Sequence, residues 1–119
     1  MPTKATSLGA DIIQRPYGKL VRLTSEDGIL KQMTVNETTI DPGKQTSKHS
    51  HPQDELWYII SGRGIVHGIN QMFEVSAGDT ILIAPGEVHQ LSNKSQDDPL
   101  TYLIVMSPPR DSASITYYS

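Results

Sequence analysis

No window of this 119-residue chain carries an apolar stripe at helical period. Short segments rich in β-branched and aromatic residues alternate with Gly and Pro punctuation instead. Segments 19–25, 29–40, 55–61, 79–84, 88–93 and 100–107 read as strands. Segments 64–68 and 72–76 flank Ile69 and Asn70 and read as a hairpin. Turn chemistry closes these runs at Gly28, at Asp41-Pro42-Gly43, at Gly62, at Pro85-Gly86 and at Pro108-Pro109. This pattern predicts an all-β sandwich or small barrel with its core over about 28–107. Residues 1–17, broken by Pro2, Gly9 and Pro16, read as an N-terminal arm, and 108–119 as a polar tail carrying Tyr117 and Tyr118.

The length suits one domain, 1–119, with one modest core. Ten basic against thirteen acidic residues give a net charge of −3, without the basic stripe that a nucleic-acid or anionic-membrane surface needs. No run approaches the roughly 18 apolar residues of a membrane span, and the N-terminus lacks the apolar stretch of a signal peptide. The expectation is a soluble, cytoplasmic protein. There is no cysteine, which excludes disulfides, thiolate metal sites and a cysteine nucleophile.

The chemistry concentrates in His49-Ser-His51-Pro-Gln-Asp-Glu55. Residues two apart point to opposite sides of a helix but to the same face of a strand. Pro52 disfavours helical backbone at His51, so an extended segment is expected, with both imidazoles and also Gln45 and Ser47 on one face. After a turn, Glu55, Trp57 and Ile59 share one face, and Leu56, Tyr58 and Ile60 the other. Both faces are largely apolar, which reads as a sandwiched strand. A carboxylate there is costly unless it is paired or holds a metal. A third histidine, His89, follows the Pro85-Gly86 turn.

Three imidazoles and one carboxylate suit a divalent transition ion: Fe, Mn, Ni, Zn, Co or Cu. Two positions of a six-coordinate ion would stay open for water, substrate or dioxygen. The plain alternative is surface or partner-satisfied histidine and an exposed glutamate. His67, before Gly68, reads as a solvent-facing histidine of that kind.

The full spacing resembles the cupin family. Its first motif, G-x5-H-x-H-x(3,4)-E-x6-G, is filled by Gly43, His49, His51, Glu55 and Gly62. Its second, G-x5-P-x-G-x2-H-x3-N, is filled by Gly78, Gly86, His89 and Asn93, with Ala84 at the proline position and Pro85 just after it. The resemblance implies a double-stranded β-helix, a small jelly-roll-like antiparallel barrel. It implies His49, His51, Glu55 and His89 as ligands of one divalent metal per chain. It implies structural roles for the glycines and Pro85, with Asn93 bracing a turn. It also implies a homodimer that buries one face of the barrel.

Two functions fit. One is a metal-dependent enzyme on a small organic molecule, with oxygenase or isomerase, epimerase or lyase chemistry. The other is a non-catalytic module that binds or senses a small molecule. Gln45, Trp57, Ile59 and Leu91 are candidates for the pocket wall by strand parity, or equally core residues. Tyr58 should point away from the metal. Arg22 is either an anchor for an anionic substrate or a surface arginine. No Gly-rich phosphate cradle lies near the motifs.

Overall fold

A computed structural model describes residues 3–4, 11–24 and 30–119. Pro2, Gly9 and the turn expected at Gly28 lie outside the described residues. Eleven strands follow in chain order: β1 (Ile12–Arg15), β2 (Gly18–Arg22), β3 (Thr34–Ile40), β4 (Lys48–Ser50), β5 (Asp54–Ser61), β6 (Arg63–His67), β7 (Met72–Ser76), β8 (Thr80–Ile83), β9 (Gln90–Ser92), β10 (Leu100–Ser107) and β11 (Thr116–Tyr118). One six-stranded sheet has the order β1-β2-β3-β10-β5-β8. Opposite it stand β7-β6-β9 and β11-β4, and backbone bridges Gln45–Ser92 and His49–His89 join these two groups. All strand pairings are antiparallel. The molecule is therefore an all-β, jelly-roll-like barrel, as the punctuated sequence predicts.

The core lies between the two sheets. Ile40, Trp57, Ile59, Leu100 and Tyr102 from the large sheet meet Val66, Val75 and Leu91 from the small one. Fully burying a side chain such as Leu91 contributes about 2 kcal/mol. Period-2 alternation places these residues. β3 alternates buried and half-buried along its whole length, with Thr34, Asn36, Thr38 and Ile40 inward.

Three expectations need correction. The arm expected over 1–17 contains a strand: β1 pairs with β2, in the segment expected as a strand, at the edge of the large sheet, so the barrel begins well before residue 28. The tail is not merely polar chain. Asp111 caps a short 3-10 turn over Ser112–Ser114, and β11 then pairs with β4. The β-branched and aromatic run Ile115-Thr116-Tyr117-Tyr118 carried that signal. Finally, β5 is not sandwiched within the chain. Its inner face is buried, but Tyr58 and Ile60 are exposed, as is Leu82 on neighbouring β8 at 74%. Tyr58 does point away from the site side of the strand, as expected.

Gly62 ends β5 with φ +92°. A Cβ there would stand 2.5 Å from the Pro99 carbonyl oxygen, so the turn tolerates no side chain. The Pro85-Gly86 turn closes on the site: the Gly86 N–H donates to the His51 carbonyl at 2.8 Å, and the Ala84 N–H donates to the Glu87 carboxylate at 2.7 Å.

Candidate metal centre

His49 and His89 come from distant parts of the chain, yet their backbones face each other. Each N–H donates to the other's carbonyl, at 3.1 and 2.9 Å. Directly opposed residues of an antiparallel pair project side chains to the same face, and their rings meet at 4.5 Å between centroids. His51 lies just past β4, again on the His49 side; its ring is 5.9 Å from that of His49 and 5.1 Å from that of His89. Ligand nitrogens of His49, His51 and His89 lie within 4.8 Å of one another.

Glu55 enters from β5 on the opposite sheet. Its Oε1 is 2.5 Å from His51 Nε2 and 3.7 Å from His89 Nε2. The Trp57 indole N–H donates to its other oxygen. The parity argument for Gln45, Ser47, His49 and His51 thus leads to one pocket, which Glu55 and Trp57 also line.

The histidine tautomers follow from their partners. His89 Nδ1 donates to the Glu87 carbonyl at 2.8 Å, and His49 Nδ1 to the Ser47 carbonyl at 3.0 Å. Each ring then keeps a bare lone pair on Nε2. His89 Nε2 is buried and has no protein partner. Backbone carbonyls that fix Nδ1–H are the usual outer support of metal-binding imidazoles. The donor set fits a divalent transition ion.

Electrostatics agree. Burial, then the neighbouring His89, lowers the pKa of His49 to about 4. Burial also lowers that of His89 against the pull of Glu55. For Glu55, burial raises the pKa, but the His51 hydrogen bond and the two histidines outweigh it and the carboxyl stays below its ordinary value. The shifts favour an ionised Glu55 beside neutral His49 and His89.

The other expected residues divide. Gln45 and Trp57 border the pocket, whereas Ile59 and Leu91 are fully buried in the core and do not reach it. Gln45 Oε1 accepts from the Ser92 hydroxyl at 3.1 Å. Gly43, Gly62, Gly78 and Gly86 all adopt positive φ. Asn93 is buried and braces the loop after β9: its amide donates to the carbonyls of Ile40 and Asp98, and its oxygen accepts from the Ser95 N–H. His67 is half-buried at the end of β6 rather than solvent-facing, and it stands outside the histidine group.

The pocket above the histidines has a volume of about 960 Å³. Beyond Gln45, Trp57 and Arg22, the last weighed as an anion anchor, sequence reasoning missed this wall. Tyr102, Ile104 and Met106 of β10 form the floor, Arg15 and Arg22 one side, and Tyr117 and Tyr118 of the tail the roof. The Tyr117 ring is 6.0 Å from that of His49, and the Tyr118 hydroxyl shares a hydrogen bond of 2.9 Å with that of Ser50.

Residues 36–106 match the family described as Cupin domain (Cupin_2), and this chain belongs to it. Among curated relatives, it is 32% identical over 111 residues to the uncharacterized protein MJ1618 of Methanocaldococcus jannaschii, covering 82% of this chain and 88% of that one. It is 31% identical over 68 residues to the oxalate-binding protein of Thermotoga maritima, covering 56% and 55%. Among solved structures, it is similar in fold to the polyketide cyclase RemF of Streptomyces resistomycificus, with a TM-score of 0.82 at 17% identity over 100% of this chain and 87% of that one.

Proposed function

We propose that this cupin is a metal-dependent enzyme acting on a small organic molecule. His49, His51, Glu55 and His89 would hold one divalent transition ion. A single observation carries this reading. Two imidazoles pinned through Nδ1 keep bare Nε2 atoms, and that of His89 stands 3.7 Å from the buried Glu55 carboxylate, which lines a large pocket.

When bound, the ion would polarise an oxygen of the substrate or hold dioxygen beside it. The chain's own groups do the rest. Ser47 and Glu87 carbonyls keep the histidine lone pairs inward. The Trp57 N–H keeps Glu55 oriented and ionised. Tyr102, wholly buried and with its pKa raised by burial, keeps its hydroxyl proton through the neutral range. Oxygen uptake and the products formed distinguish oxygenase from isomerase, epimerase or lyase chemistry. The test is elemental analysis of protein purified without added metal, followed by oxygen uptake and product analysis with candidate substrates. A protein with less than a tenth of an equivalent of transition metal, and no gain in melting temperature on adding any of the six ions, would refute the site.

The alternative is a binding module without turnover. It is favoured by the relative described as an oxalate-binding protein. Stoichiometric metal and saturable ligand binding, with no conversion of that ligand, would establish it. On either reading we propose a homodimer. The outer face of the large sheet joins Leu56, Tyr58, Leu82, Leu103 and Val105 through direct register, with Ile60 beside them, and nothing among the described residues covers it.

A further inference from the structure

The pocket has a second end. Register across the large sheet aligns Arg22 with Asn36, Asn36 with Ile104, and Ile104 with Trp57. All lie on the inner face, so one row of side chains runs from Trp57, beside Glu55, to Arg22. Adjacent strands are about 4.8 Å apart, so this row of three steps spans roughly 14 Å of backbone. Arg110 reaches the same end, because its N–H donates to the hydroxyl of Thr34, two residues before Asn36, at 3.1 Å. Both arginines are half-buried, and both line the pocket.

Charge is sorted within it. Among the side chains of the described residues, Arg15, Arg22, Lys48 and Arg110 line the pocket against one carboxylate, Glu55, in a chain whose net charge is −3. Between the two ends Asn36 stands next to Arg22, and the rest of the floor is apolar, formed by Ile104, Met106 and Leu20.

We propose that the substrate is an amphipathic organic oxyanion. Its oxygen-donor end meets the histidine group, its hydrocarbon body lies over Ile104 and Met106, and its carboxylate or phosphate is held by Arg22 and Arg110. Guanidinium forks match both anions in geometry and charge. Oxalate, with no carbon between its carboxylates, is too short to reach both ends. This inference rests on the pocket being the substrate pocket of the proposed metal site.

The test is calorimetric titration of the protein as purified, with hydrocinnamate, phenethyl phosphate, neutral hydrocinnamamide and oxalate. Metal content is measured on the same samples. At least one of the two long anions should bind at least about tenfold more tightly than the amide, and the tighter one identifies the head group. Arg22→Gln and Arg110→Gln should each weaken that anion about tenfold while leaving oxalate binding, metal content and melting temperature unchanged. Lys19→Gln, on the exposed side of β2, controls for net charge and should change nothing. Equal binding of amide and anions, no saturable binding of either long anion, or unchanged affinity in both arginine variants would overturn the proposal. Arginine-dependent anion binding in protein that holds no metal would instead remove only the metal reading.

Discussion

At the scale of single residues, the site is a set of tied-down groups, and each tie can be cut. His51→Ala removes one imidazole and the Glu55 hydrogen-bond partner, so metal content should fall from near one equivalent to near zero by elemental analysis. Trp57→Phe keeps most of the ring but leaves a buried Glu55 oxygen without its donor. We expect a loss of about 1–3 kcal/mol in urea unfolding of the metal-free protein, and weaker metal binding besides. The pH dependence follows from His49. Unfolded, it takes up a proton near its ordinary pKa of 6.5; folded, only near about 4. Between those values the unfolded chain binds more protons, so folding stability rises with pH. Metal-free protein should therefore be fully stabilised above about 6.5 and lose melting temperature as pH falls toward 4. His49→Gln should flatten that slope in a thermal-shift series.

Among the strands and turns, backbone constraints dominate. Gly62→Ala would force a side chain into left-handed backbone and against Pro99. A cost of at least about 1–3 kcal/mol is expected in chemical denaturation. The same elements show which parts of the structure could be read in advance. The β-branched run in 29–40, the apolar run 100–107 and the hairpin at 64–76 are local signals; the last two fall where expected, whereas the strand in 29–40 begins only at Thr34. The approach of His49 and His89 was legible only as two motifs with matching residue types. Their meeting is a long-range backbone pairing that no local pattern encodes. Ile59 and Leu91 share strand parity with pocket residues, yet parity gives only the face and not the depth, and both lie at the core end. The tail was misjudged because its polar neighbours, Asp111 to Ser114, mask a three-residue strand whose partner lies far away in sequence.

For the whole molecule, the open apolar face of the large sheet is the main unbalanced feature. Leu82 on that face is 74% exposed in the single chain. In the proposed dimer, Leu82→Glu would place a charge within the apolar face that the two copies bury. Light scattering coupled to size exclusion should show the wild type as a dimer and the variant as a monomer with its metal retained. The barrel and its roof also differ in how firmly they are held. β5 and β10 pair along eight-residue strands inside the sheet, whereas β11 rests on β4 through three residue pairs at an outer edge. Local opening free energies track such differences. Amides of 116–118 should then exchange with deuterium orders of magnitude faster than those of 55–59. The pocket mouth can breathe on its own clock, and the rate of ligand entry becomes a property of a fraying strand rather than of barrel stability.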